Sequence, residues 1–286
     1  MFRTLTRDVH IRCPDQNTAD QLAFIGCNPE IEGERDRVDL KIEACHGFLR
    51  LFKLGGACVE GSAGFILDEL YRLRFEMVRA ECPGGGLFLS AGTVTTAAGH
   101  IVFVGEAAVV MPALLVHLAQ EGWPVTGDWL LIVEGGAARP FPSSLRVGLS
   151  ALGRLSGRAA DIVRSSPRIP GWFEQPTFAV QTSAFGKPCR IRQAPVLHVV
   201  VLEDNHGGRS GLQRLDRSLA LEEMFKDMLL PGEGRARSLA EFMDLMACAD
   251  CWRLTVGRLD DARRLLQGLP GVDQDDASSG VWHVDR

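Results

Sequence analysis

Residues 87–142 read LFLSAGTVTTAAGHIVFVGEAAVVMPALLVHLAQEGWPVTGDWLLIVEGGAARPFP. Leu87–Val94 and His100–Val104 are apolar runs of strand length, joined by a turn at Ala97–Gly99. Gly105 ends the second run. Pro112–Glu121 has helical spacing, with Pro112 in the first turn, where its missing N–H is harmless. Gly122 ends that helix, and Trp129–Val133 is a further strand. The order is strand, Gly-containing loop, helix, strand, acidic residue.

That order is the plan of a P-loop nucleotide-binding unit. A working Walker A loop has G-x-x-x-x-G-K-[ST]. Its glycines let backbone N–H groups face phosphates, its Lys neutralises them, and its hydroxyl holds Mg²⁺. Counted from Gly105, Val110 stands at the second Gly, Met111 at the Lys and Pro112 at the hydroxyl. Glu106 adds negative charge beside the phosphate position. The nearest lysines in sequence are Lys53 and Lys187, so no local Lys substitutes. An Arg from elsewhere supplies charge but does not restore the loop.

Outward from this stretch, Val9–Cys13 reads as a strand, followed by an amphipathic helix to about Ile25 and a turn at Cys27-Asn28-Pro29. Val38–Cys45 alternates Val38, Leu40, Ile42 and Ala44 inward with Asp39, Lys41 and Glu43 outward. His46-Gly47 is a hairpin turn to Phe48–Lys53. Ser62 to Ala80 is a helix with Phe65, Ile66, Leu70, Leu73 and Met77 on its apolar side. Pro83-Gly84-Gly85-Gly86 is the clearest linker. Beyond the opening stretch, Phe141–Pro195 is rich in Ser, Gly, Pro and Arg, and its basic run from Arg146 to Arg168 has a solvated mobile loop as its plainer reading. Pro195–Glu203 is a buried strand and Asn205–Gly211 a turn. Leu219–Met228 and Ser238–Ala249 are helices, Trp252–Val256 a strand and Asp260–Leu269 the last helix. The tail from Asp273 is acidic.

The opening pattern resembles the HPr kinase/phosphorylase superfamily, and within it the shorter HPr-kinase-related proteins. LFLSAGTV (residues 87–94) resembles the family's L-H-A-x-x-V strand. GHIVFVG (99–105), eight loop residues and LLVHLAQEGW (114–123) resemble its strand, P-loop and helix. VTGDWLLI (125–132) resembles its acidic motif, and ARPFP (138–142) the segment that follows it. APVLHVVVLE (194–203) and WRLTVGRLDDARRLL (252–266) resemble its closing elements. The resemblance spans about Leu87 to Leu269.

It implies an α/β fold: an HPr-kinase-like P-loop core, a mixed sheet flanked by helices; the strands and helices read before the Pro83–Gly86 linker place a small α/β N-terminal domain ahead of it. The expected divisions are 1–83, 87–270 and an acidic tail, 271–286. It also implies lost activity. Ser90 replaces the family His, Gly127 replaces the first Asp of the acidic pair, and only Asp128 remains at a position the family uses for metal or proton handling. The chain is thus expected to be a pseudo-kinase: a binding, scaffold or regulatory subunit for a protein or peptide partner, in a peptide-modification or polysaccharide pathway, without cofactor or metal. The other reading is an active kinase or phosphotransferase that holds Mg-ATP or Mg-GTP in an altered site with Asp128 and Arg residues. Family members are often oligomeric, which leaves a homo-oligomer as an expectation.

Composition bounds these readings. A chain of 286 residues buries a sizeable core. Its net charge of −5 argues against nucleic-acid binding. With no apolar run near 18 residues and no signal pattern at its start, it is expected to be cytoplasmic, without a membrane span. Its eight Cys are spread over a large chain, and most are expected to be small buried side chains.

Other candidates have plainer readings. Cys248-x-x-Cys251 lacks a second ligand pair and reads as core or incidental Cys. Ser90 lacks the sharp turn of a nucleophile. His100, His117 and His198 read as satisfied structural histidines. Arg146, Arg154 and Arg158 lead a basic run to Arg168 that is a candidate contact for a partner, an acidic peptide or a phosphate; its plainer reading is a solvated loop.

Overall fold

A computed structural model describes residues 2–4, 6–22, 36–82, 86–105, 109–141, 143–169, 177–186, 192–229 and 235–272. Glu106, the turn at Cys27–Pro29, the end of the first helix beyond Leu22, Pro83–Gly85 and the tail from Asp273 lie outside the described residues.

The elements run β1 (Phe2–Arg3), β2 (Arg7–Arg12), α1 (Gln16–Gln21), β3 (Asp36–Cys45), β4 (Phe48–Phe52), β5 (Cys58–Gly61) and α2 (Ala63–Ala80). Then come β6 (Leu87–Leu89), β7 (Gly92–Thr95), β8 (His100–Val104), α3 (Val110–Gln120), β9 (Val125–Gly127), β10 (Leu130–Glu134) and β11 (Ala137–Phe141). β12 (Leu145–Gly148), α4 (Leu149–Leu152), α5 (Gly157–Ser165), β13 (Arg168–Ile169) and β14 (Thr177–Val180) follow. The chain closes with β15 (Val196–Asp204), β16 (Gly211–Arg214), α6 (Arg217–Lys226), α7 (Arg235–Cys248), β17 (Asp250–Val256) and α8 (Leu259–Gln267).

The central sheet has six strands in the order β16-β17-β15-β8-β7-β9. β17, β15 and β8 are parallel, while β16, β7 and β9 pair antiparallel with their neighbours, so the sheet is mixed. Alternation along the parallel strands splits two cores. Ile101, Phe103, Val200 and Leu202 face α3 and α8. Val102, Val104, Val199 and Val201 face α6 and α7. The fold is thus α/β with helices on both faces of a mixed sheet.

α3 is apolar almost all round and correspondingly buried, from Val110 to Ala119, with His117 half-buried. It begins two residues before the expected Pro112, which still falls in its first turn. Gly105 has φ +75, and a Cβ there would meet Leu202 O at 3.1 Å. Only Gly meets both demands at the strand end.

Leu87–Val94, expected as one strand, is two. β6 joins a three-stranded sheet with β10 and β11, and β7 joins the central sheet. The break falls at Ser90-Ala91, where the Ser90 N–H donates to Asp227 O at 2.8 Å instead of to a strand neighbour. Ser90 therefore lies between strands, not inside one. The region after Phe141, whose basic run has a mobile loop as its plainer reading, instead contains β12-β14-β13 and α4 and α5, whose Val147, Ala159, Ala160 and Val163 are buried beside α3. Its apolar residues are too short-ranged and too interleaved with Arg and Ser to declare themselves.

The N-terminal five strands pair in sequence order, β1 to β5. Leu40 and Ile42 are buried as expected, but Ala44 and Phe65 are exposed. Ser62 caps α2 by accepting from the Phe65 N–H. This sheet and α2 share one core with Phe88, Trp129, Ile132 and Phe141. At its centre Arg74, fully buried, lies over the Phe141 ring at 4.5 Å and the Phe2 and Trp129 rings at 5.6 Å each. A guanidinium desolvated among aromatic faces is held by their negative quadrupoles.

Candidate functional site

The chain leaves β8 toward α3 on one face of the sheet and leaves β15 toward α6 and α7 on the other. Such a reversal opens a crevice at the carboxyl ends of the two strands, where α/β proteins place ligands. A cleft of about 860 Å³ lies there and runs along α3. Val109 lines it after β8, Asp204 and His206 at the end of β15, and Gly257 and Arg258 after β17.

Arg154, just beyond α4, crosses this cleft. Its Nη1 donates to Asp204 Oδ1 at 2.7 Å, and its Nη2 donates to the carbonyls of Val256 at 3.1 Å and Gly257 at 3.0 Å. Both side chains are largely buried, 14% and 16% exposed. Burial alone would raise the Asp204 carboxyl. The His206 N–H at 2.7 Å and the Arg154 hydrogen bond and charge outweigh it, so the carboxyl stays below its ordinary range. The Arg154 cation in this cleft is therefore engaged in tying β15 to β17.

Three helix N-termini open on the same cleft. Val109 precedes α3, Ser156 precedes α5 and Arg258 precedes α8, and none receives a side-chain cap. By contrast Asp15, Ser62 and Asp216 cap α1, α2 and α6. Backbone N–H groups at an uncapped end favour acceptors. Along the opposite wall, His117 Nε2 lies 3.2 Å from Asp260 Oδ1, close but out of line for a hydrogen bond. Burial pushes the His117 imidazole below its ordinary value against the pull of Asp260 and Glu121.

At the loop, Val110 is fully buried and Met111 is 3% exposed, both in the core formed with Phe103 and Leu115. Pro112 is buried beside them and Val109 is half-buried. Gly92 accommodates this packing, since a Cβ there would meet Met111 Sδ at 3.0 Å and Leu115 at 2.9 Å. The Gly105 N–H donates to Asp227 Oδ2 at 3.2 Å. Asp227 thus holds both Ser90 and Gly105, through its carbonyl and its carboxylate respectively. Nothing in sequence spacing links residue 227 to these positions.

Asp128 follows β9. Since β7 runs antiparallel to both β8 and β9, Asp128 emerges at the same edge of the sheet as Gly105, two strands or about 10 Å across. Its side chain is buried. Oδ2 accepts the Arg146 N–H at 3.0 Å and lies 3.5 Å from Arg146 Nε, while Arg146 Nη2 donates to the Asp128 carbonyl at 3.2 Å. Oδ1 is buried without a partner among the described residues.

Arg146 and Arg154 are therefore committed within the chain, and Arg158 is exposed on α5. Of the other candidates, Cys248 is exposed and Cys251 buried, both free thiols. Among the six described cysteines only Cys82 and Cys251 are buried, fewer than expected. His100 bonds Thr95 Oγ1 and the Ala138 carbonyl, and His198 bonds the Pro270 carbonyl and accepts from the Trp252 indole. Among the described residues no cluster of three His, Cys, Asp or Glu side chains is placed to hold a metal, and no helix is long and apolar enough to cross a membrane.

No protein-family model matches this chain, and no curated protein matches it at a significant level.

Proposed function

We propose that this chain is a catalytically degenerate P-loop-type protein that works by binding a protein or peptide partner, as a scaffold or regulatory subunit. The carrying observation is the state of the loop's distal half. Val110 and Met111, at the positions a phosphate cradle gives to Gly and Lys, are core residues in the first turn of α3. Phosphoryl transfer depends on positioning and on charge neutralisation, and here both lack their usual groups. Arg154 does not substitute, because Asp204 and two carbonyls already hold it. The cleft along α3 remains, with polar walls and three uncapped helix ends, and it suits a polar segment of a partner. The motif resemblance to HPr-kinase-related proteins supports the same reading, and with it a place in peptide modification or polysaccharide synthesis.

Isothermal titration with Mg-ATP, Mg-GTP and pyrophosphate tests this reading. It expects no binding heat at millimolar ligand. A second reading rests on Asp128. A buried carboxylate with one unpartnered oxygen, beside Arg146 at the same sheet edge as Gly105, is the group an altered phosphotransferase would use. Nucleotide binding that disappears in Asp128→Ala would favour that reading.

A further inference from the structure

We propose that α7 is the interface of a two-fold symmetric homodimer. One side of α7 faces the central sheet, with Phe242, Leu245 and Met246 buried. The centre of its outward side is Ala240, Met243 and Ala247, all exposed. Leu239 and Met243 are 46% and 53% exposed. Phe225 of α6 extends the apolar surface, 42% exposed with its ring 5.0 Å from that of Phe242. The steps from 240 to 243 and from 243 to 247 are three and four residues, the spacing of a seam between paired helices. The two alanines let a second backbone come close.

The flanking charges select the occupant. Arg237 and Asp244 are seven residues apart and stand on the same flank of the seam. Among the described residues Asp244 has no ion-pair partner, and Arg237 reaches only Glu241, with Nε 4.0 Å from Oε1. When a second α7 is laid antiparallel across a two-fold axis, Ala240 meets Met243 of the second copy. Each Arg237 then faces Asp244 of the second copy, so both pairs are opposite in sign. A parallel two-fold arrangement carries the two Arg237–Asp244 flanks to opposite sides of the seam, where each faces the Leu239 flank of the other copy and forms no charged pair. The surface is self-complementary only in the antiparallel two-fold arrangement, and no other partner needs to be invoked to neutralise it. A helix of 14 residues is about 21 Å long. One helix per side makes a small interface, so the dimer dissociates in the micromolar range.

Sedimentation equilibrium of the full chain, up to about 100 μM, tests the proposal. The wild-type protein is expected to dimerise. Arg237→Asp and Asp244→Arg should each weaken the dimer about tenfold or more, and the two together should restore it, since the exchanged charges again face each other. Met243→Glu should leave a monomer with an unchanged circular dichroism spectrum. A wild-type monomer throughout, a dimer indifferent to Met243→Glu, or a double variant no tighter than the single ones would each overturn the interface. Recovery in the double variant cannot arise from misfolding, so the test survives a poorly folded single variant.

Discussion

The Asp227 carboxylate accepts a hydrogen bond from the backbone N–H of Gly105, Oδ2 to N 3.2 Å, at the residue where a phosphate-binding loop would begin. A protein carboxylate thus holds the first donor of the loop. Burial raises the Asp227 carboxyl above its ordinary value; the Gly105 N–H opposes this and Glu223 adds to it. Between the ordinary and the raised value the folded chain binds more protons than the unfolded one, so this group lowers stability as pH rises through that window. Asp227→Asn keeps an acceptor and removes the charge. Urea unfolding is expected to show the variant more stable than wild type at neutral pH, with the difference gone once pH falls below the ordinary aspartate range. A variant less stable at neutral pH would mean that the loop favours the charged form.

Met111→Lys places an ammonium where the core has closed. Burying it unpaired should cost roughly 3 kcal/mol or more, against less than about 1.5 kcal/mol for Met111→Leu. Thermal melts of the two variants check this. A Lys variant as stable as wild type would show that residue 111 has ready access to water and that the cradle is open.

Arg154→Ala leaves the Asp204 carboxylate nearly buried with no cation, an effect of about 3 kcal/mol. The pH dependence has a definite sign. The depressed carboxyl contributes stability above the ordinary aspartate range and loses it as pH falls through the folded value. Without Arg154 that acid-sensitive limb should flatten. Denaturant midpoints collected across the acid range report it directly.

Asp128 separates structure from latent chemistry. Asp128→Asn keeps an acceptor for the Arg146 N–H, whereas Asp128→Ala leaves that N–H unpaired, at about 1–3 kcal/mol. A structural Asp128 predicts that Ala is clearly destabilising and Asn mildly so. Stabilisation by Asn would mark a carboxylate held at a cost to the fold, as functional sites hold theirs.

Periodicity made much of this fold legible. β8, Gly105 and α3 follow from an apolar run, a forced left-handed glycine and an apolar helix. β15 was equally plain, because a parallel strand buried on both faces reads as a continuous apolar stretch, whereas β17 showed through Leu254 and Val256 alternating with Arg253 and Thr255. The switch from β6 to β7 was hidden, since Ser90 interrupts nothing in the hydrophobic pattern and its partner Asp227 is distant in sequence. β12 to β14 were missed because their strands are short and their outward residues are Arg and Thr. In the site, Val110, Met111 and Pro112 at the positions a Walker A loop gives to Gly, Lys and a hydroxyl were visible residue by residue. The pairing of Arg154 with Asp204 was not, for nothing local joins residues 50 apart. It exists only because β15 and β17 are adjacent and α4 ends above them.

The central claim is that the loop no longer binds nucleotide, and thermal unfolding with and without millimolar Mg-ATP or Mg-GTP tests it most directly. A ligand stabilises the folded state by RT ln(1 + [L]/Kd), so a melting temperature rises only when the ligand exceeds its dissociation constant. With Val110 and Met111 in the core and Asp227 on the Gly105 N–H, the melting temperature is expected to stay unchanged with either nucleotide. A clear nucleotide-dependent rise in the wild-type protein, abolished by Asp128→Ala, would contradict the account and establish an altered but working nucleotide site.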